Sequence, residues 1–217
     1  ALDSARGNSG TIIAQFFYGL SKSFKGCEKI NVEDFAKGFN QGYVSAYDSL
    51  INPEEGTIIT VMRDVANKAQ EISELGCNDF VHFVKNIFQE AELSLKATKT
   101  ILKILKKSDV VDSGALGFVL LIQGVLNVIE RGKGGRIQTT HLDISYELDK
   151  IENLNKDIDF KIENKFCTEC VVRGKNINRS ELKTKIKDFG DSMVIAGSSQ
   201  RVKIHIHTNE PAKFFKM

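Results

Sequence analysis

The sequence Ala5-Arg6-Gly7-Asn8-Ser9-Gly10 runs directly into an apolar pattern with helical spacing. The two glycines allow a tight turn with free backbone amides, and the start of a helix adds the positive end of its dipole. An anion is attracted to such a turn, which makes it a candidate phosphate site. The candidate residues are Gly7, Asn8, Ser9 and Gly10. The spacing matches neither a Walker A loop nor the G-x-G-x-x-G fingerprint, and a plain helix start is the alternative interpretation.

The composition is that of an ordinary globular protein. The chain has 217 residues, of which 41% are hydrophobic, and its formal charge is +2. We therefore expect neither a nucleic-acid partner nor membrane insertion, since the longest apolar runs are too short to cross a bilayer. The four cysteines are scattered and do not resemble a disulfide framework, which favours a cytoplasmic location. The abrupt start at Ala1 suggests a fragment.

The first part of the chain is expected to be helical. From Gly10 to about Arg131, apolar residues recur with helical spacing and no strand-like alternation interrupts them. The last helix is apolar nearly all round, which predicts a central place in a bundle. We expect a helical domain over residues 1–133. Its helices are predicted to start at Gly10, after the cap Asn31, after Gly56, after the cap Asp79 and at Ser113.

The second part is expected to be a small α+β domain over residues 134–217. Glycines and basic residues in Arg131–Arg136 indicate a flexible joint. Beyond it the apolar pattern changes to the alternation of strands, and short helices are predicted between and after them. The predicted strands are Phe166–Arg173, Ser192–Gly197 and Arg201–Thr208, with a helix capped by Ser180 and another starting at Pro211.

Two further helix starts in the first domain resemble the glycine turn. Pro53-Glu54-Glu55-Gly56-Thr57 and the segment Val111–Gly117 each place small or polar residues just before a helix. Three such starts at one end of a bundle would form a shared pocket for a polar ligand. The alternative is three ordinary loops.

The second domain contains a candidate metal site. His205 and His207 lie two apart on a predicted strand and therefore project from one face. If the strand from Phe166 lies alongside, Cys167 adds a thiolate, and this donor set suits Zn²⁺ with a fourth position open. A pair of surface histidines is the alternative. Cys170 is expected on the opposite face as a buried thiol.

Together these segments resemble the bacterial fatty acid kinase A subunit, whose N-terminal domain is related to the nucleotide-binding L subunit of dihydroxyacetone kinases. The resemblance implies an antiparallel helical barrel that binds ATP at one end, followed by a middle domain that binds zinc. The matching motifs are Ala5–Gly10, Glu55–Val61, Val110–Gly117, Phe166–Glu169 and Val202–Thr208.

The resemblance also implies site residues, a reaction and partners. The implied reaction transfers the γ-phosphoryl group of ATP to a fatty acid held by a separate lipid-binding B subunit. The product is an acyl phosphate for phospholipid synthesis. The family further suggests a homodimer through the middle domain. The implied phosphate-binding residues are Gly7, Asn8, Ser9 and Gly10, the implied adenine-pocket residues are Thr57, Ile58, Asp112, Ser113 and Gly114, and the implied zinc ligands are Cys167, His205 and His207.

Departures from the family pattern limit what this chain is expected to do by itself. The family binds Mg²⁺ through aspartates on a segment upstream of the glycine turn, and its third domain would follow Met217. We therefore expect this chain alone not to turn over, its catalytic residues lying outside it. Two other functions stay open: a dihydroxyacetone-type small-molecule kinase component, and a non-catalytic scaffold domain stabilised by zinc.

Overall fold

A computed structural model describes residues 1–132, 147–151 and 163–216. A helical region comes first and a small three-stranded sheet with short helices follows, which confirms the predicted helical domain plus small α+β region. The helices are α1 Gly7–Ser23, α2 Val32–Tyr47, α3 Ile58–Glu74, α4 Phe80–Ile101, α5 Lys103–Ser108, α6 Ser113–Gly132, α7 Arg179–Ile186 and α8 Pro211–Phe214, and the strands are β1 Phe166–Arg173, β2 Asp191–Gly197 and β3 Arg201–Thr208.

Local signals in the sequence set most of the helix starts. Asn31 caps α2 in a reciprocal capping box with Asp34, and Asp79 caps α4, as predicted. The first helix starts at Gly7 and not at Gly10, so the glycine turn forms its first turn. Gly7 has a φ of +64°, a left-handed conformation that glycine adopts at little cost. The cap of α7 is Asn178 and not Ser180, because the Asn178 side chain accepts the free amides of that helix.

The helices pack in a ring around one apolar core. Consecutive long helices contact one another from α1 to α4, and α6 contacts α4, α3 and α1. Phe16, Phe83 and Phe118 are fully buried in this core, and Phe16 and Phe118 pack edge to face.

Helix α6 contacts α4, α3 and α1 but is not enclosed on all sides, because Val125 and Val128 are exposed, so the central place that its composition predicted was wrong. Its residues Ser113–Glu130 are long and apolar enough to span a membrane by composition, so the expectation that no apolar stretch reaches that length was wrong. About 44% of this stretch is buried inside the protein, and Leu116, Phe118 and Ile122 belong to the helical core. A core helix of a bundle meets the same criterion of length and apolarity.

The three strands form an antiparallel sheet in the order β1-β3-β2. One face packs on a second apolar core with α7 and α8. Strand β1 lies beside β3, as the metal-site prediction required, and all three predicted strands are present. The second core consists of Ile186, Met193, Ile195, Val202, Ile204, Ile206 and Phe214.

The sheet also packs directly on the helical region. Val194 and Ala196 of β2 are buried in the core of the bundle. The Ile195 amide donates to the Ser49 carbonyl at 2.8 Å, and the Ile51 amide donates to the Met193 carbonyl at 3.4 Å, so β2 pairs with the loop after α2. The predicted joint begins inside α6, which continues to Gly132, and its residues 133–136 lie outside the described part of the chain.

Candidate functional site

A cavity of about 290 Å³ lies where the starts of α1 and α3 meet the segment before α6. Strand β2 and the loop after α2 close its other side. Its volume is at the lower end of the range for small-molecule pockets, about 300–1,000 Å³. The lining residues are Asn8, Ser9, Ile12, Leu50, Ile51, Asn52, Glu54, Thr57, Ile58, Asp112, Ser192, Met193 and Val194.

The structure thus brings the three predicted helix starts together. Asn8, Ser9, Thr57, Ile58 and Asp112 line this one pocket, although they come from segments far apart in the sequence. Their convergence is what the shared-pocket interpretation predicted and what three unrelated loops would not produce.

Four of the predicted pocket residues are not part of the lining. Gly10 packs against Ala5. A Cβ atom at Gly114 would lie 2.4 Å from Ser9 Oγ, so this glycine permits the close approach of α6 to α1. The other two residues are Gly7, whose amide is hydrogen-bonded to Glu169, and Ser113, the first residue of α6.

Asp112 joins two of the helix starts. Its Oδ1 accepts a hydrogen bond from the Ala115 amide in α6 at 2.7 Å, and the Ile58 amide at the start of α3 lies close enough to favour the charged carboxylate. Burial raises the pKa of Asp112, and the nearby carboxylate of Glu54 acts in the same direction, while the amide hydrogen bonds oppose both. Asp112 therefore satisfies amides that would otherwise be open to a ligand, and it fixes the shape of this side of the pocket.

The pocket is lined about equally by polar and apolar groups, and no Lys or Arg lines it in the described part of the chain. Glu54 and Asp112 give its wall a negative charge, so a nucleotide's phosphates would enter it only together with cations. Asn8 Oδ1 is buried and has no hydrogen-bond partner among the described residues. Because a buried amide oxygen without a partner costs about 1–3 kcal/mol, a ligand that donates a hydrogen bond to Asn8 Oδ1 would gain from satisfying it.

Cys167, His205 and His207 form the predicted cluster on one face of the sheet. Their candidate ligand atoms all lie within 4.8 Å of one another. The pairing places Cys167 directly opposite His207, and Asp191 lies near the cluster at 3.7 Å from His207 Nδ1. Cys170 packs against the second apolar core on the other face, as expected, and burial raises the pKa of its thiol.

The donors of this cluster suit a zinc ion. A thiolate and two imidazoles are common zinc ligands, and three protein ligands leave a fourth position open. His205 is 1% exposed, and its Nε2 has no hydrogen-bond partner within the described residues. Burial lowers the pKa of His205, which keeps the imidazole neutral and able to bind a metal.

Sequence reasoning missed two charged residues on the same face. Glu169 and Lys203 lie two positions from Cys167 and His205 along their strands, so strand alternation places them beside the cluster. Glu169 Oε2 pairs with Lys203 Nζ at 3.0 Å, and Lys203 is only 2% exposed. The alternation was a usable signal, but charged residues on a strand normally indicate a solvated face.

The comparisons with known proteins agree with this architecture. Residues 1–127, which include the whole helical side of the pocket, match the model of the DAK2 domain. The chain belongs to the DAK2-domain family. Residues 163–217, which include the sheet and its cluster, match the model of the middle domain of proteins like the fatty acid kinase A subunit. Both regions of this DAK2-domain chain are thus kinase-related.

Curated relatives align with nearly the whole chain. An uncharacterized protein of Staphylococcus saprophyticus is 37% identical over 99% of this chain and 39% of its own length. An uncharacterized protein of Staphylococcus epidermidis is 34% identical over 99% of this chain and 39% of its own length, and one of Staphylococcus aureus is 34% identical over 99% and 40%. The DAK2-domain chain therefore spans about two fifths of the length of these relatives.

Proposed function

We propose that this chain is the ATP-binding part of a fatty acid kinase of the A-subunit type. In this proposal the γ-phosphoryl group of ATP passes to the carboxylate of a fatty acid that a separate lipid-binding B subunit presents, and the product is an acyl phosphate. The observation that supports it best is the meeting of Asn8, Thr57 and Asp112 around one pocket in a DAK2-domain chain.

The pocket supplies position and orientation for such a transfer. The first turn of α1 would hold the phosphates through its backbone amides and the Ser9 hydroxyl, and Asn8 Oδ1 would accept from a donor group of the ligand or contact a cation that accompanies the phosphates. Thr57 and Ile58 would contact the adenine from the start of α3, and Asp112 keeps that wall in place. Phosphoryl transfer depends mainly on such positioning and on charge neutralisation, so no protein nucleophile is required.

Mg²⁺ is the cation that this chemistry requires, because it neutralises the charge that develops between the phosphates. Among the described residues, Glu54 and Asp112 are the carboxylates lining the pocket, and Asp112 already accepts backbone amides. We therefore expect the 217-residue chain to bind nucleotide without turnover, since its pocket offers too few free carboxylates to hold the ion. Addition of a Pro-Asp-Gly-Asp-Thr-Gly-type segment ahead of Ala1 without any gain in ATP consumption would contradict this account.

Zn²⁺ is proposed for Cys167, His205 and His207. When bound, it would tie β1 to β3 through its ligands and stabilise the sheet. A role in structure or in docking a partner is favoured over catalysis because the cluster lies outside the pocket lining. A homodimer through the sheet region and a cytoplasmic site of action belong to the same proposal.

Nucleotide binding is tested by calorimetric titration with a non-hydrolysable ATP analogue and Mg²⁺. We expect binding with one site per chain, and we expect Asn8→Ala to weaken it about tenfold, which corresponds to one hydrogen bond of about 1.4 kcal/mol. Asn40→Ala is the matched control, because Asn40 is exposed on α2 and outside the pocket lining. Unchanged affinity in Asn8→Ala would contradict the assignment of the pocket.

Transfer is tested with the chain extended by the aspartate segment, γ-labelled ATP and two alternative acceptors. Label in acyl phosphate that depends on a fatty-acid-loaded lipid-binding protein would support the proposal. Label in dihydroxyacetone would indicate the small-molecule kinase type instead. Bound zinc without nucleotide binding would leave the scaffold as the function.

A further inference from the structure

The metal cluster and the glycine turn are connected through one carboxylate. Glu169 Oε1 accepts a hydrogen bond from the Gly7 amide at 3.1 Å, and it lies 3.0 Å from His205 Nδ1. Gly7 begins α1 at the candidate phosphate site, and His205 belongs to the metal cluster. A single oxygen atom of Glu169 therefore contacts both sites.

Lys203 fixes the other side of this connection. Its Nζ pairs with Glu169 Oε2 at 3.0 Å and donates to the Ala5 carbonyl. Burial alone would raise the pKa of Glu169, but the hydrogen bonds from His205 and Lys203 lower it below its ordinary value, so the carboxylate stays charged. The sheet thus holds the backbone on both sides of Arg6 through charged, largely buried groups.

The two ring nitrogens of His205 have different surroundings. Nδ1 donates to Glu169 when it carries the proton, which leaves Nε2 as the acceptor. Nε2 is buried and lacks a hydrogen-bond partner among the described residues. Nδ1 is also the ring nitrogen that lies 3.9 Å from Cys167 Sγ, so the same nitrogen faces both Glu169 and the thiol of the cluster.

We propose that Glu169 is a positioning residue that couples metal binding at the Cys167–His205–His207 cluster to nucleotide binding at the first turn of α1. The inference rests on the proposed function. Metal binding at the cluster would fix the His205 ring, and Glu169, which contacts both His205 Nδ1 and the Gly7 amide, transmits this order to the start of α1. Because the turn is then ordered before nucleotide arrives, the entropy lost on binding is smaller.

Thermodynamic linkage makes the coupling measurable from both sides. If zinc raises the affinity for Mg²⁺ and the ATP analogue by some factor, the nucleotide raises the affinity for zinc by the same factor. We expect a factor of about five or more, the lower end of typical coupling between sites. Calorimetric titrations of each ligand, with and without the other, give the two factors independently.

Three variants separate the coupling from general stability. Glu169→Gln weakens the charge-assisted bonds to Gly7 and His205, and we expect the factor to fall below about two. Glu169→Ala combined with Lys203→Met removes the acceptor without leaving a buried charge unpaired, and it should abolish the coupling. Glu181→Gln is the matched control, since Glu181 is an exposed residue of α7 that pairs with Lys185, and it should leave the factor unchanged.

The Gly7 amide resonance provides a readout that does not require nucleotide. Addition of zinc should shift this resonance in the wild-type chain and in Glu181→Gln, but not in the Glu169→Ala, Lys203→Met variant. A coupling factor of one in the wild-type chain, or a Gly7 shift that persists in that double variant, would overturn the inference. If no nucleotide binds while the Gly7 shift follows Glu169, the proposed function fails and the connection stands.

Discussion

Asp112 offers the sharpest test of how the pocket is built, because its carboxylate holds the starts of α3 and α6 together. Asp112→Ala removes the acceptor of the Ala115 amide, bonded at 2.7 Å, and the carboxylate that interacts with the nearby Ile58 amide. Loss of the cap costs about 1 kcal/mol, and loss of the interaction with the Ile58 amide costs about 1–2 kcal/mol more. The sum, about 2–3 kcal/mol, should lower the melting temperature by roughly 4–12 °C for a chain of this size.

The assay is thermal and urea unfolding followed by far-ultraviolet circular dichroism. Asp112→Asn keeps one carbonyl oxygen and removes the buried charge, so at neutral pH it should cost clearly less than Asp112→Ala. Asp188→Ala, at an exposed position after α7, is the control and should change stability by less than about 0.5 kcal/mol. Equal losses of unfolding free energy in Asp112→Ala and Asp112→Asn would refute the reasoning, since the side-chain oxygen of residue 112 would then not stabilise the helix starts.

The pH dependence of the same variants has a definite sign. Burial raises the pKa of Asp112 in the folded chain, so the folded state holds its proton to higher pH than the unfolded state does. The contribution of Asp112 to stability is therefore greatest below its unfolded pKa of about 4 and decreases as the pH rises through the folded pKa. Asp112→Asn lacks this titration, so wild-type stability relative to that variant should fall across this window. If the stability of the wild type relative to Asp112→Asn rises with pH instead, Asp112 does not have a raised pKa in the folded chain.

Three further predictions concern packing and the metal cluster. In Gly114→Ala the new Cβ would meet Ser9 Oγ at 2.4 Å, so the affinity for the ATP analogue should fall several-fold while stability, measured by urea unfolding, changes by less than about 1 kcal/mol. Gln15→Leu removes an acceptor of the Gly197 amide at 2.8 Å, and this loss between α1 and β2 should cost about 2 kcal/mol in the same measurement. Cys170→Ala should leave the zinc content, measured by elemental analysis, unchanged because its thiol lies on the face opposite the cluster.

Local sequence signals were sufficient for much of the fold. Asn31 and Asp79 were predicted as caps because their side chains accept amides only a few residues away. Strand alternation likewise placed His205 and His207 on one face, and pairing in register brought Cys167 opposite the second histidine. These features depend on neighbours in sequence or on one strand pairing, so periodicity captures them.

Features that depend on contacts between distant segments were not predicted. Glu169 and Gly7 are 162 positions apart, and nothing near either residue in sequence indicates their hydrogen bond. The role of Lys203 was missed for the same reason: it is buried on the central strand and donates to the Ala5 carbonyl, a residue 198 positions away. The contribution of Ser192 to the pocket wall follows from the same packing and has no local signal.

The main-chain bonds between β2 and the loop after α2 bear on how this protein can be divided. Cutting the chain after α6 would separate Ser49 from its hydrogen-bond partner Ile195 and would take Val194 and Ala196 out of the helical core. The helical half would then expose an apolar hollow, and the other half an unsatisfied strand edge prone to aggregation. We therefore expect residues 1–132 and 163–216 to unfold together in one cooperative transition, and the two regions should be expressed as one chain.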